Sequence, residues 1–257
     1  MSGFGTLFRK ELTESWRTRR LPIVALLFLA LGIMSPLTAR YLNEILKFAM
    51  GDQLPLAMPE PSAAMALQQL QKNLGQLGAL AAIAIAMGSV SGELDRGTAA
   101  LVMAQPASRP AFLFAKLAGI AVVLAACTAL GVGVAWAYTA ILFEPMVPAG
   151  WLAFAVLAWL GLLAWSAITF LASTATGSAT AAAGLGFVAM IALSVVSIVP
   201  ALDRVLPTGL ALPSYLLATG DMEALDAGTL ATAVIGTVVL IGACAGGSLL
   251  AFRRREL

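Results

Sequence analysis

The stretch Gly92-Glu93-Leu94-Asp95-Arg96-Gly97-Thr98-Ala99-Ala100-Leu101-Val102-Met103-Ala104-Gln105-Pro106-Ala107-Ser108-Arg109 is a polar island between two long apolar segments. It holds Glu93, Asp95, Arg96 and Arg109, and Lys116 follows just beyond. Thr98 is placed to cap a short helix that Pro106 stops. Ser108 is placed to cap the next helix, which opens at Arg109-Pro110. The fold depends on what flanks this island.

The flanks are built for a bilayer. Of the 257 residues, 60% are hydrophobic and only 11% are charged, against roughly 25% charged in soluble domains. No charge occurs between Glu144 and Asp203. A soluble fold cannot hide so much apolar surface, whereas an all-α bundle of transmembrane helices presents it to lipid. The net charge of +2 offers no basis for a nucleic-acid partner. There is no histidine, and Cys127 and Cys244 each lie inside an apolar segment. They read as small buried hydrophobes rather than a disulfide or a metal pair. Met50, Met58 and Met65 stand without histidine or cysteine nearby, and so read as packing residues rather than copper ligands. No metal site or bound cofactor is expected in this chain.

Taken outward from the island, the pattern predicts six spans. Residues 4–20 form a basic amphipathic helix with Phe4, Leu7, Phe8, Leu12 and Trp16 on one side and Arg9, Lys10, Arg17 and Arg20 mostly on the other. Such a helix lies in the membrane interface, although Glu11 interrupts its apolar stripe. The alternative is a flexible basic tail that only sets orientation. Spans are expected at 21–39, 74–90, 112–143, 151–171, 179–199 and 230–251. The apolar stretch after Arg20 is too long for the core of a cleavable signal peptide, so the first span is expected to stay in the protein. Between spans 1 and 2 lies a loop, 40–73, in which Ser62 caps a short helix running to Gln71. Lys116, in the first turns of span 3, is expected to snorkel to the interface. Ala181, Ala182, Ala183, Gly184 and Gly186 suit close helix packing in lipid. Residues 200–228 are broken by Pro200, Pro207 and Pro213. Their middle, Leu206 to Leu217, is too apolar for a plain loop and too broken for a span, which suggests a short re-entrant or interfacial pair of helices.

Charge orients the bundle. With a cytoplasmic N-terminus the inside cations are Arg9, Lys10, Arg17, Arg19, Arg20, Arg96, Arg109, Lys116, Arg253, Arg254 and Arg255. Only Arg40, Lys47, Lys72 and Arg204 then lie outside, as the positive-inside rule requires.

Three short stretches resemble the permeases of type-2 ABC exporters. They are Arg9-Lys10-Glu11-Leu12; the run Gly92-Glu93-Leu94-Asp95-Arg96-Gly97-Thr98 with Pro106-Ala107-Ser108-Arg109 and Lys116; and the closing Phe252-Arg253-Arg254-Arg255. The family pattern after the second span has the form E-x-E-x-G-T, then P-x-S-R, then G-K. Here Asp95 replaces the second Glu, and Ala115 stands where Gly often precedes the lysine. The resemblance implies one transmembrane permease domain over residues 1–257, non-catalytic, in the cytoplasmic membrane, with both termini cytoplasmic. It implies a second permease copy or paralogue, and a separate ABC ATPase subunit that binds ATP and Mg. Glu93, Asp95, Arg96, Gly97, Thr98, Pro106, Ser108, Arg109 and Lys116 would form the coupling element entering that ATPase. Phe8, Arg9, Lys10, Trp16, Arg253, Arg254 and Arg255 would meet the membrane interface and its lipids, and 200–228 would be the outer re-entrant region.

The uncharged spans lean toward an apolar or amphipathic cargo, whether small molecule, peptide or lipid-like. Service to metalloenzyme maturation, or ion export, is the alternative within the family. Outside it, a secondary transporter usually carries buried ionisable groups and often inverted repeats, and neither is visible here. An intramembrane enzyme needs paired acids, a nucleophile with its base, or metal ligands at depth, and no acidic residue lies within any expected span. The chain has no G-x-x-x-x-G-K-[ST] loop, so ATP chemistry must come from a partner.

Overall fold

The computed structural model describes residues 3–50, 60–95, 109–143 and 146–253. Among these the chain is all-α, and six helical stretches are long and apolar enough to cross a membrane. They are Arg20–Arg40, Ala63–Glu93, Pro110–Leu142, Pro148–Thr176, Ala179–Val196 and Ala227–Arg253, here spans 1 to 6. The amphipathic helix at the N-terminus runs Phe4–Arg17, and a turn with Arg19 in the left-handed region (φ 59°) separates it from span 1.

The largest departure from expectation is span 2. The sequence suggests a loop to residue 73 with a short helix inside it. Instead, the helix capped by Ser62, whose hydroxyl accepts from the Met65 amide at 3.3 Å, runs on without a break. It passes through a π-helical turn at Leu74–Gly78 into Ala79–Met87. Gln68, Gln69, Gln71, Lys72 and Asn73 disguise this continuity by their polarity. Yet Leu67, Leu70 and Leu74 keep the helical spacing, and all three are buried. Asn73 donates to the Ser35 hydroxyl at 2.9 Å, which in turn donates to the Leu31 carbonyl at 2.6 Å. That satisfies a polar group where spans 1 and 2 meet. Leu42–Met50, also read as loop, is a helix.

Span 4 is the centre of the bundle and packs against spans 2, 3, 5 and 6. Hydrogen bonds join it to its neighbours at several levels. Trp159 donates to the Ala121 carbonyl of span 3 at 2.9 Å, and Ser166 to the Ala82 carbonyl of span 2 at 3.1 Å. At the end of span 4, the Ser173 hydroxyl accepts from the Ser91 amide at 3.1 Å. In lipid such bonds join helices that hydrophobicity alone does not hold together. The small residues of span 5 are used only in part. Ala182 and Gly186 are buried, Gly186 against Thr169 and Ile83, while Ala181 and Gly184 face outward.

Between spans 5 and 6 the chain forms three short helical pieces, Pro200–Asp203, Pro207–Leu210 and Ala211–Thr219. Pro207, Gly209 and Leu210 are buried, so this outer segment belongs to the packed structure. Asp226 then caps span 6 through the Gly228 and Thr229 amides. Five spans separate Thr18 from Met222, and both are exposed. Single cysteines there, in a background without Cys127 and Cys244, are expected to react with an impermeant maleimide from opposite sides of the membrane. Labelling of both from one side would rule out six crossings.

Candidate functional site: a buried ion cluster at one end of the bundle

The N-terminal helix, the end of span 2 and the start of span 3 meet around five charged side chains. Lys10 Nζ donates to Glu93 Oε1 at 2.8 Å, and Lys116 Nζ donates to the same oxygen at 2.9 Å. Lys116 also donates to Glu11 Oε1 at 2.9 Å. Glu14 lies 3.9 Å from Lys10 at the outer edge of the group. Glu11, Glu14 and Glu93 bring carboxylate oxygens close together. The two ammonium groups set among them answer most of that negative charge, with Glu93 taking one hydrogen bond from each.

Local sequence explains each position. Lys10, Glu11 and Glu14 share one face of the first helix at i, i+1 and i+4, and that face packs on span 3. Gly119 makes the approach possible, since a Cβ there would sit 3.1 Å from the Glu11 Cβ. Glu11 therefore does not spoil an apolar stripe; it is a part-buried contact of that helix with span 3. Lys116 does not snorkel to water. Its side chain is 3% exposed, and its ammonium lies 5.1 Å from the centre of the Phe112 ring. Phe112 stacks on Phe252 of span 6 at 5.7 Å, which brings the last span to the same point.

Burial alone would lower the Lys10 pKa, but the hydrogen bond and charge of Glu93, with Glu11 and Glu14, outweigh it. The net shift is above the ordinary 10.5. A raised lysine pKa stabilises the folded state fully below its unfolded value. That contribution is lost only as pH climbs past the folded value, so the Lys10 contact persists across neutral and mildly alkaline pH.

The structure thus joins residues that the sequence assigns to two different roles. Glu93 and Lys116, read as coupling residues, meet Lys10, read as an interface residue. Trp16 of the same first helix is 65% exposed and free to meet lipid headgroups. Phe8 is half-buried, and Arg9 and Arg253 are exposed at this end of the bundle. Asp95 and Arg109 stand at helix ends, Ser91–Asp95 and Arg109–Leu142. Arg96, Gly97, Thr98, Pro106, Ser108, Arg254 and Arg255 lie outside the described residues. Glu11, Glu14, Phe112 and Phe252 belong to the site and were not singled out for it. A signal for Glu11 existed, since an acid on the apolar face of a helix needs a cation to meet it.

Six apolar helices sewn together by hydrogen bonds, with a charged joint at one end, define a multi-pass membrane protein. Comparison with known proteins is specific about which kind. The family described as ABC-2 family transporter protein matches residues 6–257, and this chain belongs to it. It is also similar to the uncharacterized transmembrane protein YxlG of Bacillus subtilis (strain 168), at 30% identity over 200 residues. That match covers 74% of this chain and 75% of the relative. As a member of this family the chain is a non-catalytic transport subunit, and its ATPase is a separate partner.

Proposed function

We propose that this chain is one membrane half of an exporter whose ATPase acts on it through residues 92–109. The observation that carries the reading is the buried ion cluster. It clamps the first helix, the end of span 2 and the start of span 3 to one another, on either side of the stretch 96–108. A push on that stretch would move three elements as one body, which is what rigid-body transmission from a soluble motor requires. In this reading Glu93 and Lys116 hold the coupling element to the bundle, while Asp95, Arg96 and Arg109 face the ATPase. The cargo is an apolar or amphipathic molecule, in keeping with uncharged spans.

A second permease copy or paralogue completes the pathway. Only 11% of the span 5 window is buried within the chain, against 61% for span 2. Leu185, Phe187, Val188 and Ile191 are left exposed for another helix or for lipid.

The test separates docking from mere solvation of a helix end. Exposed charges contribute a few tenths of a kcal/mol up to about 1 kcal/mol. Removing one partner of a desolvated interfacial pair costs about 2–5 kcal/mol, or at least tenfold in affinity. Arg96→Ala is expected to insert normally and lose ATPase association and substrate-stimulated ATP turnover, with Arg40→Ala as the control. Native mass spectrometry of the unmodified complex should show two permeases with two ATPases. Unchanged association and stimulation in Arg96→Ala would remove the support for docking at this stretch.

A further inference from the structure

A cavity of about 220 Å³ opens inside the outer half of the bundle. Its walls come from four elements: Leu74 and Gly75 of span 2, Phe154 and Trp165 of span 4, Met190 of span 5, and Leu210 of the outer segment. The hydroxyls on its wall are already engaged. Ser194 donates to the Met190 carbonyl, Ser214 to the Ala211 carbonyl, and Thr208 to Asp203 Oδ1 at 2.7 Å. With these groups satisfied, the cavity calls for hydrocarbon rather than water. At about 30 Å³ per water-sized group it holds roughly seven methylenes, which is a segment of one acyl chain.

The cavity continues into a groove of different character. Gln71, Gly75 and Ala211 line both, and the groove adds Gln68, Lys72, Gln76 and Tyr215. Lys72 is exposed and makes no ion pair among the described residues. It stands 21 positions before Glu93 (93 − 72) in the same span. At 1.5 Å per residue that is about 31 Å, close to the thickness of a hydrocarbon core of about 30 Å. If the ion cluster marks one membrane face, Lys72 lies at headgroup level on the other, with the apolar cavity just beneath it. The passage between groove and cavity runs past Gly75, where a Cβ would meet nothing within 4 Å. Gly75 belongs to the π-helical turn, a distortion often found at functional sites.

We propose that this groove and cavity bind an anionic phospholipid of the opposite leaflet from the ion cluster, its phosphate on Lys72 and one acyl chain threaded past Gly75. The site lies within a single chain and does not depend on the ATPase reading. Lys72 supplies the charge preference, and the four-walled cavity supplies most of the holding contact.

The experiment uses the purified full chain, stripped of lipid in detergent and incubated with palmitoyl-oleoyl phosphatidylglycerol or with phosphatidylcholine of the same chains. Native mass spectrometry counts the lipid retained. The unmodified protein is expected to prefer phosphatidylglycerol about fivefold, the effect of one basic side chain at a lipid surface. Lys72→Gln should bring phosphatidylglycerol down to the phosphatidylcholine level, while Arg40→Gln leaves it unchanged. Gly75→Leu fills the passage without a clash and should abolish retention of both lipids, with the melting temperature of the protein preserved. Millimolar glycerol phosphate should not displace the bound lipid. Equal retention of the two lipids by the unmodified protein would overturn the proposal. So would full retention in Gly75→Leu, or displacement by glycerol phosphate, which would mean an anion site without an acyl chain.

Discussion

Lys116→Ala is expected to destabilise the bundle by about 3–5 kcal/mol, the cost of removing one partner from a buried ion pair. Lys116 is 3% exposed and lies 2.9 Å from both Glu11 and Glu93, whereas Lys10 is 4.0 Å from Glu11. Without it, Glu93, whose side chain is 8% exposed, loses one of its two lysine contacts, and Glu11 loses its 2.9 Å ammonium contact. The Glu11 side chain, held against Gly119, then has only Lys10 at 4.0 Å among the described cations to answer it. Lys10→Ala should cost far less, about 1 kcal/mol at most, because the Lys10 side chain is 41% exposed and water replaces much of what is lost. Unfolding midpoints in detergent for the two variants, with Lys116→Arg as the charge-preserving control, read this directly. A further variant separates charge from shape: replacing Lys116 with Met, Glu93 with Gln and Glu11 with Gln together should recover most of the loss. Apolar or neutral groups in place of a buried ionic set are often tolerated. Equal losses in Lys116→Ala and Lys10→Ala would mean the cluster is not buried in the working protein.

The second large effect concerns the crossing of spans 1 and 3. A Cβ at Gly32 would collide with the Gly131 carbonyl oxygen, and a Cβ at Gly131 would lie 2.8 Å from the Phe28 carbonyl oxygen. Two backbones are in contact there, and neither can give way as a side chain can. Lipid provides no hydrophobic drive between helices, so close van der Waals contact is what holds such a pair. Gly131→Ala must push the helices apart and loosen the packing over Phe28, which is fully buried. The expected cost is about 1–3 kcal/mol. Gly133 provides the comparison within the same helix, since a Cβ there meets nothing within 4 Å. Gly133→Ala should be neutral or stabilising by about 0.5–1 kcal/mol, the ordinary helical preference for Ala over Gly. Melting temperatures that moved alike in the two variants would show that the crossing is looser than the structure has it.

The membrane class, the approximate places of six spans and the basic first helix are legible in the sequence because each is local. Hydropathy over a window of about twenty residues and a periodic stripe need no knowledge of what packs where. The turns of span 2 before residue 74 escaped because they carry five polar residues, Gln68 to Asn73 apart from Leu70, and a window average weighs composition above spacing. The buried leucines at 67, 70 and 74 show that spacing was the better guide there. The site was legible only in its parts. Glu93 and Lys116 stood out as charges beside apolar runs, and Lys10 as part of a basic helix. Nothing local pairs Lys10 with Glu93, 83 residues away, or Lys116 with Glu11, 105 residues away. Those partners are set by how the first helix lies across Gly119 and how span 2 ends beside span 3. The same holds for the outer cavity, whose walls come from four separate elements. The sequence by itself determined that this protein lives in a membrane and where its helices cross. Tertiary structure alone decided which charges neutralise one another, because a buried charge is stable only beside its partner, and that partner is found by packing rather than by proximity along the chain.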